Sequence, residues 1–311
     1  MTDGRPTVLV LMGGPDAEHE ISLMSGREVA QALRDSDRYD VIEQVVDRPT
    51  AATLPAHGAD VVFPVLHGRW GEGGPLQEVL ETLDLPYVGS GPRAAAVAMD
   101  KQATKRIVAA HGVLTPPDCR LSAGGLCPLV PPLVLKPIDD GSSVDLHMCR
   151  TEQQVAAARE ILHRRRGAIM AEQLVTGREV TAGIVCGEPM PLIEIVTSPE
   201  VPFYDYQAKY FRDDTRYELN PDLPAGTAQA CTRSALAAFD LLGCRDVARA
   251  DFVVNDRGAW FLEINTMPGF TTHSLLPKAA AHRGMDMASL CSRLVDAALT
   301  RTPAHTVRQY G

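Results

Sequence analysis

The apolar positions along this chain mark out a series of short elements. Thr7–Met12 is a continuous apolar run, the pattern of a parallel strand buried on both faces. Gly13 and Gly14 follow it, and the spacing predicts a helix from about Glu20 to Leu33. A strand, a glycine turn and a helix open a doubly wound sheet. Val41–Val46 and Asp60–Leu66 read as two further strands, Pro75–Leu83 as a helix and Tyr87-Val88 as a short strand. One helix is expected over Ala94–Ala110, with Lys101 near its centre and Gly112 as its stop. The proline-rich stretch Thr115–Pro132 leads to a short strand, Leu133–Lys136. Thr151–His163 predicts a helix with Thr151 as cap and Gln154 completing a capping box. Ala168–Val175 reads as a strand, and Glu179–Val185 with Met190–Val196 as an antiparallel pair. Ala225–Leu242 is an apolar-striped helix ended by Gly243, and helices near Leu275–Ala281 and Met285–Leu299 come last.

Two stretches depart from this rhythm. Ser198–Asp222 is long, polar and dense in tyrosine, and is expected to be a functional loop of the lid kind. Val247–Val254 and Ala259–Ile264 are rich in valine, phenylalanine and tryptophan, with turn chemistry at Asn255–Gly258, and predict a hairpin. Asp251 lies on its first strand, and Glu263 and Asn265 lie two residues apart on and beyond the second, on one face. Two carboxylates and an amide oxygen make a hard-oxygen set suited to Mg²⁺. A plain hairpin with exposed acids fits the same pattern.

Bulk properties narrow the classes. At 311 residues the chain is expected to hold two or three domains. Hydrophobic content of 45% and charged content of 22% describe an ordinary soluble protein. No apolar run reaches transmembrane length and no signal peptide is read, so a cytoplasmic protein without a membrane partner is expected. Seven cysteines without a Cys-x-x-Cys pair argue against disulfides and zinc. A net charge of −9 argues against nucleic acid as a partner. The basic run His163–Arg166 reads as a solvated helix end.

The remaining candidates bear on phosphate chemistry. Lys101 and Lys136 stand upstream of a glycine and hydroxyl loop, Asp139-Asp140-Gly141-Ser142-Ser143-Val144. Such a loop can fold amides and hydroxyls over phosphates. Together with a two-acid metal site, this set favours triphosphate chemistry. No Walker A sequence, kinase glycine loop or G-x-G-x-x-G spacing is present. Glu18 and Ser22 lie where the first helix would present amides to a carboxylate ligand, and capping is the alternative role. His67 follows a strand at the end where open α/β sheets bind ligands.

At GGPDAEHEISLMSG (13–26), VLHGRWGEGG (65–74), YVGSGPRAAAVAMDK (87–101), VLKPIDDGSSV (134–144), YDYQAKY (204–210) and RADFVVNDRGAWFLEINTMPGFTTHSL (249–275), the chain resembles the D-alanine–D-alanine ligase family of ATP-grasp enzymes. The resemblance implies an α/β fold of three modules, an N-terminal doubly wound open sheet and ATP held between two antiparallel sheets. It suggests modules at 1–93, 94–175 and 176–311, with the lid at 198–222 in the last. The implied reaction joins two D-alanines through an acyl phosphate, for peptidoglycan precursors, with two Mg²⁺, or Mn²⁺ in their place, and a homodimer as the assembly.

The resemblance also assigns residues. Glu18 would hold the first D-alanine's ammonium, with Ser142 and Tyr210 closing a triad. Arg249 and the backbone of Gly269 would stabilise the oxyanion. Ser274 and Leu275 would hold the second carboxylate, with His67 and Lys209 near the substrates. Lys101, Lys136, Ser142, Ser143 and Lys209 would face ATP. Glu172, Gln173, Leu174 and Val175 would form the adenine hinge, and Glu179 would bind the ribose. Asp251, Glu263 and Asn265 would carry the metal ions. Lys209 and Tyr210 in the lid motif favour D-alanine over D-lactate as second substrate. Three positions depart from the family pattern: Pro15-Asp16 before Glu18, Gln173 at the hinge, and Asp145, which adds negative charge near the phosphates. A ligase for another amino acid pair and a non-catalytic nucleotide sensor fit the same residues.

Overall fold

The computed structural model describes residues 4–54, 57–122, 124–141, 145–197 and 215–301. Ser142, Ser143, Tyr204, Lys209 and Tyr210 therefore lie outside the described residues, as does most of the expected lid. Among the described residues no helix is long and apolar enough to cross a membrane. The seven cysteines are free thiols.

The first sheet is parallel: β1 (Thr7–Gly13) lies between β2 (Asp40–Val46) and β3 (Val61–Pro64). The apolar run of β1 is continuous because both faces are covered. Val8, Val10 and Met12 meet helix α1 (His19–Asp35) and the last helix, Met287–Leu299. Leu9 and Leu11 meet α3 (Pro75–Thr82), which follows a single helical turn, α2 (Gly68–Gly71). Tyr87 makes one parallel bridge to Val62, less than the strand read at Tyr87-Val88.

The helix expected over Ala94–Ala110 is two helices, α4 (Pro92–Met99) and α5 (Lys101–Ala110). The break is Asp100, which is extended (φ −80°, ψ 95°) and caps α5 by accepting from the Ala103 amide at 2.8 Å. An aspartate N-cap can outweigh helix continuity in this way. Lys101 is consequently the first residue of a helix, and its amide donates to the Ile138 carbonyl at 3.1 Å.

The second sheet is antiparallel, in the order β4 (Asp118–Leu121), β7 (Ile169–Gln173), β5 (Leu133–Pro137), β6 (His147–Cys149). Helix α6 (Glu152–Arg165) covers it. Thr151 caps α6 as expected, but Gln154 Oε1 accepts from the Arg150 amide at 2.7 Å, one residue before the cap. The third sheet runs β11 (Arg216–Leu219), β10 (Ile193–Val196), β8 (Arg178–Val185), β12 (Val247–Asn255), β13 (Gly258–Asn265), with β9 (Glu188–Pro189) paired to β8. The C-terminal part of the expected lid is thus not loop: Arg216–Leu219 pairs with β10. Helix α7 (Thr227–Leu242), ended by Gly243 at φ 72°, packs on this sheet together with α4 and α5. Helix α8 (Leu275–His282) and α9, the Met287–Leu299 helix, carry the chain back to the first sheet.

Phe270 joins the hairpin's exit to the first sheet. It is fully buried and meets Phe63 of β3 edge-on, with centroids 5.4 Å apart at 87°. Replacing Phe270 by alanine is expected to cost about 3–5 kcal/mol, because the cavity between two sheets cannot collapse. Urea unfolding of Phe270→Ala measures this directly, and a loss under about 1 kcal/mol would mean that the aromatic contact is not holding the sheets together.

Candidate active site

The hairpin β12–β13 places the acids, and one irregularity decides their direction. Asp251 pairs with Glu263 and Arg249 with Asn265, but the register shifts between Asp251 and Phe252, leaving Leu262 as an extra residue. Phe252 and Phe261 point into the core, where their rings meet at 5.7 Å. Strict alternation from Phe261 would send Glu263 into that core. The bulge turns Leu262 and Glu263 together into the cleft that faces the second sheet.

Cations meet both carboxylates. Arg249 donates to Asp251 through Nε at 3.0 Å and Nη2 at 2.8 Å, and Thr181 Oγ1 adds a bond at 2.6 Å. Lys101 Nζ lies 3.2 Å from Glu263 Oε2 and also donates to the Asp140 carbonyl. Asn265 Oδ1 accepts from the Met267 amide at 3.3 Å. The donor set for a divalent ion is therefore two carboxylates and an amide oxygen, adjacent on paired strands. It fits a hard cation that completes its shell with water and phosphate.

The same cleft is walled by the second sheet. Lys136 ends β5 there, and Glu172, Gln173, Leu174 and Val175 form its edge at the end of β7. Glu179 of β8 lies on the opposite wall. Glu172 turns its carboxylate toward two lysines. Its Oε2 meets Lys136 Nζ at 2.8 Å and Lys105 Nζ at 3.3 Å. Lys136 is desolvated, yet Glu172 and Glu263 outweigh that and raise its pKa, so it stays a cation. Lys105 is 1% exposed, and burial lowers its pKa. It also donates to the Pro116 carbonyl at 2.7 Å. No motif pointed to Lys105, which lies on the buried face of α5. Gln173 Nε2 donates to the Pro132 carbonyl at 2.8 Å and stays within the protein.

The expected substrate residues do not line this cleft, although Glu18 comes close to Gly141, which does. Glu18 makes no cap bond, and a Cβ placed on Gly141 would sit 3.5 Å from its Oε2. Ser22 does not face a ligand: it accepts from the Gly13 amide at 2.8 Å and donates to the Val65 carbonyl, stitching β1 to β3. His67 is buried, with Nδ1 3.1 Å from the Met267 carbonyl. A carbonyl only accepts, so Nδ1 carries the proton and Nε2 has the lone pair. Nε2 is buried without a hydrogen-bond partner among the described residues. Burial lowers the pKa of His67, against the charge of Glu18, and keeps the ring neutral. Gly269 and Ser274 are adjacent: a Cβ on Gly269 would lie 2.9 Å from Ser274 Oγ, which accepts from the Thr271 amide at 3.0 Å. Leu275 buries its side chain, so its amide at the start of α8 is what it can offer.

Glu72 carried no expected role, yet it ties these loops together. Its Oε1 accepts from the Gly68 amide at 3.1 Å, and its carbonyl from Thr266 Oγ1 at 3.5 Å. Burial, and then the charge of Glu18, pushes its pKa up to about 8.

An acid pair and two lysines in a cleft between two antiparallel sheets suit a nucleoside triphosphate with a divalent ion, the chemistry of an ATP-dependent ligase. Comparison with known proteins agrees. The family model "D-ala D-ala ligase C-terminus" matches residues 127–296, and "D-ala D-ala ligase N-terminus" matches residues 43–90. The D-alanine–D-alanine ligase of Syntrophotalea carbinolica is 42% identical over 297 residues, covering 94% of this chain and 96% of its own. That of Bordetella pertussis is 42% identical over 311 residues, covering 95% and 96%. The crystal structure of the Bacillus anthracis D-alanine–D-alanine ligase complexed with ATP superposes with a TM-score of 0.83 at 27% identity, covering 98% of this chain and 100% of that one. The chain belongs to the D-alanine–D-alanine ligase family.

The buried carboxyl of Glu72 gives a pH signature. Between its ordinary value of 4.5 and the folded value of about 8, the folded chain holds a proton that the unfolded chain has released. Stability therefore falls as pH rises through that window. Glu72→Gln removes the titration and keeps an acceptor for Gly68. The variant is expected to gain on the order of 1–4 kcal/mol over the parent at about pH 8.5 and to match it near pH 5. Urea midpoints at the two pH values measure the gap, and an equal gap at both would refute a neutral buried Glu72.

Proposed function

We propose that this chain joins two D-alanines into D-alanyl-D-alanine, consuming ATP and releasing ADP and phosphate, to supply peptidoglycan precursors in the cytoplasm. The observation that carries the reading is the convergence of Lys101, Lys136, Asp251 and Glu263 on one cleft between two antiparallel sheets. It is supported by relatives named D-alanine–D-alanine ligase that match over nearly the whole chain.

In this reading ATP lies along the cleft. Its adenine meets the edge Glu172–Val175, its ribose Glu179, and its phosphates Lys101, Lys136, Lys209 and the loop with Ser142 and Ser143. Mg²⁺, or Mn²⁺, held by Asp251, Glu263 and Asn265 would neutralise charge developing on the phosphates. The carboxylate of the first D-alanine, its ammonium on Glu18, attacks the γ-phosphate; ADP leaves and an acyl phosphate forms. The amine of the second D-alanine, once neutral, attacks the acyl carbon, and phosphate leaves as the tetrahedral intermediate collapses. Arg249 and the Gly269 amide would donate to the oxyanion. Ser274 and the Leu275 amide take the second carboxylate. The lone pair on His67 Nε2 would take the proton that the second amine sheds. Ser142 and Tyr210 close the site over Glu18, and the chain works as a homodimer with module boundaries near 93 and 175.

Phosphate release from ATP, with products separated, tests the reaction. D-alanine alone should give the dipeptide, and D-alanine with equimolar D-lactate near pH 7 should still give mainly the dipeptide. A depsipeptide as main product overturns the second-substrate assignment, and no product moves the function to another amino acid pair or to a nucleotide sensor. Glu263→Gln should lower kcat by roughly 10²-fold or more with the fold intact. Near-normal turnover at saturating Mg²⁺ would remove Glu263 from the metal site.

A further inference from the structure

Three aspartates flank the phosphate loop: Asp139 and Asp140 on one side of Gly141–Val144, and Asp145 on the other. An ATP tetraanion approaching them would meet like charge. The basic run that reads as a solvated helix end answers this. Arg166 Nη1 lies 2.7 Å from Asp140 Oδ2, and Arg166 Nε lies 2.7 Å from Asp145 Oδ2, so one guanidinium bridges the two sides of the loop. Arg165 adds a contact to Asp145 at 3.4 Å, and Arg69 pairs with Asp139 at 2.9 Å. Asp145 stands at φ 57°, in the left-handed region. Aspartate tolerates that region, and glycine adopts it without strain. Burial alone would raise the Asp145 pKa, yet Arg166 and then Arg165 hold it below the usual carboxylate value. Asp140 continues the link inward: its side chain accepts from the Gly141 amide at 2.9 Å, and its carbonyl accepts from Lys101, which in turn meets Glu263.

We propose that Arg166 is a positioning residue for the ATP phosphates: its guanidinium clasps Asp140 and Asp145 across the loop and cancels carboxylate charge that would otherwise repel the nucleotide. The chain can keep an aspartate beside this loop because this arginine is opposite it. The inference rests on the reading that the cleft lined by Asp140 and Gly141 holds the phosphates. Lysine at position 166 would keep the charge but could not bridge two carboxylates with a planar fork.

The test is calorimetric binding of the ATP analogue AMPPNP with Mg²⁺, and of AMP, to the full chain. Arg166→Met should weaken AMPPNP on the order of ten-fold, from the exposed carboxylate charge, and leave AMP within about two-fold. Adding Asp145→Gly should restore part of the AMPPNP affinity, since one of the two carboxylates that Arg166 paired is then gone. An unchanged AMPPNP affinity, an equal loss for both nucleotides, or no recovery with Asp145→Gly overturns the clasp. If Arg166→Met does not fold, Arg166→Lys carries the same comparison with a smaller expected loss. Lys136→Met run in parallel separates the two layers. If it too leaves AMPPNP unaffected, the phosphate-site reading fails. If it weakens AMPPNP and Arg166→Met does not, the clasp alone fails.

Discussion

The extra residue at Leu262 is the constraint on which this cleft depends. Strand β13 must bury Phe261 and Ile264 against helices α5 and α7, and must also present Glu263 to the opposite sheet. A regular strand cannot put Phe261 in the core and Glu263 outside it, because the two share a face. The bulge resolves the conflict by inserting one residue. It does so beside Asp251, so the two carboxylates stay opposite each other while the hydrophobic pattern on both sides is kept. Arg249 and Asn265, the next aligned pair, then fall on the same face.

Carboxylates in a cleft of this kind need counter-charge, and the fold supplies it as an alternating set. Arg249 holds Asp251, Lys101 holds Glu263, and Glu172 sits between Lys136 and Lys105. At Lys136 the partner Glu172 outweighs burial and raises the pKa, so that lysine stays a cation. Such an arrangement suits a triphosphate substrate. Lys136, held as a cation, can turn toward phosphate without first gaining a proton, and the carboxylates offer oxygens to a metal ion. Helix α5 matters here for more than packing: its cap at Asp100 fixes Lys101, and its inner face carries Lys105.

Much of this was legible in the amino-acid sequence, for physical reasons. The apolar run of β1 announced a strand covered on both faces, Gly243 marked a helix end that needs a left-handed residue, and the turn Asn255–Gly258 marked the hairpin. The family motifs placed Lys101, Lys136, Asp251 and Glu263, and these do share a cleft. What escaped depends on contacts between segments distant in sequence. Asp100 broke a helix by capping, a signal visible in Met-Asp-Lys but overridden by the apolar stripe around it. Lys105 and Glu72 are titratable groups whose burial no local pattern shows. Arg166 looked like a solvated end until Asp140 and Asp145 were found across from it. Ser22 faced inward because β1 and β3 needed a stitch. The bulge itself is invisible to alternation counting, since Glu263 and Asn265 share a face with or without it.

The central claim is that the hairpin's carboxylates and the second sheet's lysines serve one nucleotide. Anomalous diffraction from crystals grown with Mn²⁺ and a non-hydrolysable ATP analogue tests it most directly. The account predicts manganese peaks at Asp251, Glu263 and Asn265, with the phosphates beside Lys101 and Lys136 and the adenine against Glu172–Val175. Manganese elsewhere, with Arg249 and Lys101 still closed on the two carboxylates and the nucleotide outside the cleft, would contradict it.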